Sequence, residues 1–167
     1  MYDHSIYQFK AYTNAGKEIS LEQYRGKVLM IVNIATECGQ APQLEILEQH
    51  YQKYKDRGFE ILAFPSNQFA QEPREGENIN EFCKLNYGVS FPVFRKVDVR
   101  GKQADPLFKF LSSRKLNGKF SAKPLWNFYK YIISRDGKPL DYFVSYTSPG
   151  KKKVIRSIEE ALFNKHP

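Results

Sequence analysis

Two apolar runs constrain this chain more than any other feature. Lys27 to Ile34 reads KVLMIVNI and Phe59 to Phe64 reads FEILAF. Both are nearly continuous and rich in β-branched residues, the pattern of strands buried on both faces. Between them, Gln40 to Tyr54 carries Leu44, Leu47, Tyr51 and Tyr54 at helical spacing. Pro42 fits a first helical turn and Gly58 a stop. Strand, helix, strand in this order predicts a βαβ unit with parallel strands.

The rest of the chain arranges itself around that unit. Ile6 to Ala11 and Lys17 to Ser20, separated by Thr13-Asn14-Ala15-Gly16, predict an N-terminal β-hairpin. After the second core strand come a polar loop from Pro65 to Glu77, a helix from about Asn78 to Tyr87, and a strand at Val93 to Val97. Pro106 to Leu111 suits a short helix. Asn127 to Ser134, the Arg135-Asp136-Gly137 turn, and Pro139 to Phe143 form a second hairpin. Val154 to Phe163 makes a last helix with Ile155, Ile158, Ala161 and Leu162 inward. The order βαβ, hairpin, helix is α/β with a thioredoxin-like fold. It has a central mixed β-sheet flanked by helices, an N-terminal β-hairpin, and an inserted helix and strand. With 167 residues, no repeat and no linker, residues 1–167 read as a single domain.

Composition narrows the function classes. No apolar run approaches the roughly 18 residues of a spanning helix. Met1 to Lys10 lacks an apolar targeting core. The expected location is cytoplasmic. The net charge of +8 could serve nucleic acid or an anionic membrane surface. Its basic residues, however, are dispersed among acids, the densest group being Lys151, Lys152, Lys153 and Arg156. A solvated face is expected, with no nucleic acid and at most peripheral membrane contact. Two cysteines in a cytosolic chain are more often metal-binding, catalytic or inert than a structural framework. His4, His50 and His166 have no metal-ligand spacing and no Cys-x-x-Cys is present, so no metal and no bound cofactor are expected.

Cys38 is the candidate nucleophile. It lies between a strand end and a helix start, where sheets of this type place their sites. Free N–H groups and the positive end of the helix dipole favour a thiolate there. A small buried hydrophobe is the plainer alternative. His50 lies about three turns down the same helix and is a poor general base.

Several motifs in order carry a resemblance. Val32-Asn33-Ile34-Ala35-Thr36-Glu37-Cys38-Gly39 resembles the glutathione peroxidase signature around the reactive cysteine or selenocysteine. Phe64-Pro65-Ser66-Asn67-Gln68-Phe69, with Gln71-Glu72-Pro73, is similar to that family's second signature. Trp126-Asn127-Phe128, followed by Arg135-Asp136-Gly137-Lys138, is similar to the third. Asn86-Tyr87-Gly88-Val89 and Phe91-Pro92 also match, and the likeness runs from about Tyr7 to Leu162.

The resemblance implies a catalytic tetrad of Cys38, Gln71, Trp126 and Asn127. Indole and amide donors would stabilise charge on sulfur and on the leaving oxygen. Without it, Trp126 reads as a core aromatic, Asn127 as a turn residue and Gln71 as a surface residue. It further implies a thiol peroxidase of the non-selenium type, acting in antioxidant defence on hydrogen peroxide and on organic or lipid hydroperoxides. Cys38 would pass through a sulfenic acid. Cys83 would be the resolving cysteine, and thioredoxin or glutathione the reductant. On the residues alone Cys83 could equally be a core thiol, since it shares a helical face with Ile79 and Phe82.

The chain also departs from the family pattern. Ser66 stands where many relatives carry a further cysteine. The loop between Phe69 and Gln71 is one residue short. Glu37 precedes Cys38, and a carboxylate pointing inward would oppose the thiolate. The segment Ser112 to Leu125 is short, which resembles monomeric members with open sites. Two other readings stay open: a redox sensor or thiol relay passing oxidation to a partner protein, and a non-catalytic module that binds through the basic surface.

Overall fold

The structure, a computed structural model, describes residues 4–164. A four-stranded sheet has the order β4-β3-β5-β6, with β3 Val28–Ile34, β4 Phe59–Pro65, β5 Lys130–Ile133 and β6 Pro139–Phe143. Strands β3 and β4 are parallel, while β5 runs antiparallel to both β3 and β6. The hairpin β1 Lys10–Tyr12 and β2 Glu18–Ser20 forms a separate two-stranded sheet. The helices are α1 Gln43–Tyr54, α2 Glu77–Tyr87, α3 Pro106–Ser112, α4 Arg114–Asn117 and α5 Lys152–Phe163. None of the described helices is long and apolar enough to cross a membrane.

The unbroken apolar runs follow from burial on both faces. Val28, Met30, Val32 and Ile34 of β3 pack with Leu44 and Leu47 of α1, Ile79 of α2 and Ile158 of α5. Leu29 and Ile31 point the other way, against Leu107, Phe108 and Leu111 of α3. Period-2 alternation is present, but both phases are apolar because each phase meets a hydrophobic layer.

Four segments differ from the sequence expectation. Ile6–Gln8 is a turn of 3-10 helix capped by Ser5, so the first hairpin strand is only Lys10–Tyr12. Val93 to Val97 makes only isolated bridges, Ala63 with Val93 and Thr13 with Phe94. Its N–H groups alternate between acceptors: Phe94 bonds Ala63 of β4, Arg95 bonds Tyr12 of β1, and Val97 bonds Pro65. The segment bridges two sheets, so no continuous ladder forms with either. Helix α1 begins at Gln43, not Gln40, and residues 38–42 are turns. Strand β5 begins at Lys130, because Phe128 sits at φ +67, a left-handed conformation that ends extended pairing.

Candidate active site

The strand register brings four segments to one end of the sheet. Ile34, the last residue of β3, pairs with Pro65, the last of β4. On the other side Val32 pairs with Lys130, so residues 126–129 run alongside the end of β3. The Cys38 turn, the loop after β4, the segment before β5 and the N-terminus of α1 therefore meet at the carboxyl ends of the parallel strands.

Cys38 is 5% exposed and packs with the α1, α2 and α5 side of the core. Its Sγ accepts the Gln40 N–H at 3.4 Å. Its carbonyl accepts the Ala41 N–H at 2.9 Å, and two further turns lead into α1. The sulfur is thus held by the turn that precedes the helix, not by the helix itself.

The loop from Ser66 to Gly76 clamps this turn. The Gln71 carbonyl accepts the Glu37 N–H at 3.0 Å, which fixes Gln71 beside the residue before Cys38. Glu72 is fully buried, and its carboxylate accepts the Thr36 N–H at 2.9 Å and the Thr36 hydroxyl at 2.5 Å. Arg74 donates to Thr36 Oγ1 at 2.9 Å and pairs with Glu37 at 2.8 Å. Glu37 is exposed, and its charge is directed at Arg74. The shortened loop turns through Ala70 at φ +58, where most chains need glycine. Ser66 is fully buried and accepts the Gln68 N–H.

The third segment is pinned by Asn33, the polar residue inside the β3 run. Its Nδ2 donates to the Trp126 carbonyl at 3.1 Å and its Oδ1 accepts the Tyr129 N–H at 2.9 Å. The Asn33 carbonyl takes the Phe128 N–H at 2.6 Å. Asn127 lies between these anchors, fully buried, and both polar atoms of its amide lack a hydrogen-bond partner. A buried amide left unpaired costs about 1–3 kcal/mol, and such costs concentrate where a group is held for function. Trp126 is 36% exposed, and its ring centroid lies 5.3 Å from that of Phe69, joining the loop after β4 to the segment before β5.

Cys83 lies on α2, fully buried in the core cluster that contains Cys38. Both thiols are free. Burial pushes the Cys83 thiol up to about 12, and the Glu72 carboxylate adds to the effect while Arg74 opposes it. Arg74 also stacks over Phe82 at 3.9 Å, so one guanidinium ties α2 to Thr36 and Glu37. His50 bonds the Pro149 carbonyl at 2.7 Å and takes no place near the sulfur turn. Among the described residues no cluster of His, Cys, Asp or Glu is placed to hold a metal ion. His166 lies outside the described residues.

Asn33, Glu72 and Arg74 were not singled out as site residues in the sequence. Asn33 carried a signal, as a polar residue inside a strand buried on both faces. Glu72 stands in the Gln71-Glu72-Pro73 motif with no role attached and Arg74 has no signal, because their partners at Thr36, Glu37 and Phe82 come together only in the fold.

The glutathione peroxidase family model matches residues 6–112. The chain is 47% identical over 146 residues to the glutathione peroxidase of Lactococcus lactis, covering 87% of this chain and 92% of that protein. It is 48% identical over 159 residues to the glutathione peroxidase homolog BsaA of Halalkalibacterium halodurans, covering 95% and 99%. Among solved structures, the crystal structure of T. cruzi GPX1 superposes with a TM-score of 0.74 at 32% identity, covering 98% of this chain and 99% of that one. That of Trgpx in apo form gives 0.76 at 36% identity, covering 98% of each. A thiol:disulfide interchange protein of the thioredoxin family from Chlorobium tepidum, at 19% identity and a TM-score of 0.65, shares the fold. With a matched family model, close relatives over nearly its whole length and the site segments gathered at one sheet end, this chain belongs to the glutathione peroxidase family and is a thiol peroxidase.

Proposed function

We propose that Cys38 is the peroxide-reducing residue, with Gln71, Trp126 and Asn127 as its donors. The thiolate attacks one peroxide oxygen, the S–O bond forms as O–O breaks, and water or an alcohol leaves after taking a proton. Cys38 is left as sulfenic acid. The observation that carries this reading is the Cys38 sulfur, held under the Gln40 N–H at the sheet end where the buried, unpartnered Asn127 amide also lies.

Cys83 then condenses with the sulfenic acid, giving a disulfide and water. Its buried thiol, raised to about 12, is neutral at pH 7 and a poor nucleophile. Resolution therefore needs α2 to open locally and expose it. Thioredoxin or glutathione reduces the disulfide as co-substrate, with no bound cofactor. Organic hydroperoxides, lipid ones included, fit an approach over exposed Leu125 and Trp126. A groove of about 400 Å³ lies alongside, lined by Leu125, Tyr129, Tyr142 and Val144 among others. The chain works as one domain over 1–167, as a monomer. Two free thiols suit a reducing cytoplasmic setting.

A coupled peroxidase assay, run in parallel with thioredoxin and with glutathione, tests the reading. Cys38→Ser should abolish turnover with both. Cys83→Ser should consume one equivalent of peroxide and then stall with thioredoxin. Retained turnover in Cys38→Ser overturns the assignment; normal glutathione turnover in Cys83→Ser makes Cys83 a core thiol.

A further inference from the structure

One charged side chain of the core takes no part in the chemistry above. Lys130, the first residue of β5, is fully buried. Its Nζ donates to Gln43 Oε1 at 2.8 Å, to the Phe128 carbonyl at 2.6 Å and to the Val144 carbonyl at 3.1 Å. Three donors thus meet three acceptors, with the Ser145 carbonyl at 3.5 Å as a fourth, longer neighbour. All of these acceptors are neutral, and its sheet neighbours Val32 and Phe143 are apolar. No ion pair among the described residues includes it. Burial without a counter-charge pulls its ammonium down to about 7.

A buried lysine with no carboxylate is costly, so what it holds matters. Three oxygen acceptors around Nζ match the ammonium, which only donates, so it fixes the Gln43 amide with oxygen inward. Gln43 Nε2 is then directed at Gln40 Oε1, at 2.9 Å, and at the Ser145 carbonyl, at 2.7 Å. Gln40 in turn supplies the backbone N–H at the Cys38 sulfur. The same ammonium bonds the carbonyl of Phe128, the left-handed residue that follows Asn127. One side chain thereby braces both the sulfur turn and the Asn127 segment.

We propose that Lys130 is a positioning residue for peroxide reduction, acting through Gln43 and Gln40 to keep the N–H donor aimed at the Cys38 sulfur. The proposal rests on Cys38 being the reacting sulfur. The two ideas fail separately, because Cys38→Ser tests the nucleophile while the variants below retain it.

The test uses Lys130→Met, Gln43→Leu and the double variant. Lys130→Met keeps length and removes every donor. Gln43→Leu breaks the relay and leaves the lysine. The readouts are the second-order rate of Cys38 oxidation by hydrogen peroxide and its pH profile, alongside near-UV circular dichroism. Each single variant should lose about ten- to a hundredfold in rate, as for a misplaced reacting group. Its pH profile should move to higher pH. Lys130→Arg, which restores donors, should recover part of the rate. The double variant should be no slower than the worse single one, because both act through one path. A folded Lys130→Met with unchanged rate and pH profile overturns the proposal, as do strictly additive losses. If Lys130→Met does not fold, Gln43→Leu decides: unchanged rate and profile in that variant overturn it equally.

Discussion

Asn33→Ala is the substitution whose cost can be worked most directly. The wild-type side chain satisfies two main-chain groups of the segment that carries Trp126 and Asn127. The Tyr129 N–H lies in a buried bond, so leaving it unpaired costs about 1–3 kcal/mol. The Trp126 carbonyl lies in a part-buried bond, and losing an ordinary hydrogen bond there costs about 0.5–1.5 kcal/mol. Together the loss is about 2–4 kcal/mol of folding stability. With a urea m-value of about 2 kcal/mol per molar, the middle of the usual range, the unfolding midpoint should fall by about 1–2 M. The same freedom lets Asn127 drift, so peroxide oxidation of Cys38 should slow at least about tenfold. Urea melts and stopped-flow oxidation on one preparation read both effects. A midpoint within about 0.3 M of the parent, with an unchanged rate, would refute the view that Asn33 anchors the segment.

Three further outcomes follow from the geometry. Arg74→Ala removes a partly exposed ion pair and a stack on Phe82, together about 1–1.5 kcal/mol, so α2 opens more readily. Disulfide formation after oxidation should accelerate about five- to tenfold, read by rapid-quench mass spectrometry from the point at which Cys38 is already sulfenic acid; an unchanged rate of that step would mean that Arg74 does not hold α2 closed. Ala70→Gly relieves a left-handed alanine and should stabilise by about 0.5–1 kcal/mol in thermal melts; a destabilised variant would mean that the turn is not strained. The Cys83 thiol titrates near 12 when folded but near 9 when unfolded, so above pH 9 the unfolded state binds fewer protons. This group's contribution to stability is therefore whole below about pH 9 and falls by about 1.4 kcal/mol per pH unit from there toward 12. Cys83→Ala should lose stability less steeply than the parent over that window; parallel curves would contradict the burial.

The fold was legible in the sequence where periodicity and burial agree. The two apolar runs and the Pro139 to Phe143 strand lie where the pattern puts them, and the amphipathic helix between the runs starts three residues late but ends at Tyr54 as expected. The pattern failed where non-local partners decide. Val93 to Val97 has strand composition, yet its N–H groups divide between β1 and β4. Asn127 to Tyr129 looks extended, yet Phe128 is turned back by Asn33. Cys38 is a candidate from its place between a strand end and a helix start, whereas Gln71, Trp126 and Asn127 are candidates only through the family resemblance, since the residues alone left each of them a plainer reading. The Arg74–Glu37 pair and the Lys130–Gln43 bond join residues 37 and 87 positions apart, and no local pattern announces such pairs.

The most direct measurement of the central claim is intact and peptide mass spectrometry after one equivalent of hydrogen peroxide. The parent should lose two hydrogens as an intramolecular Cys38–Cys83 disulfide. Cys83→Ser should instead gain one oxygen, mapped to Cys38. Oxidation that leaves Cys38 unmodified, or a Cys38→Ser variant that still consumes the equivalent of peroxide, would contradict it.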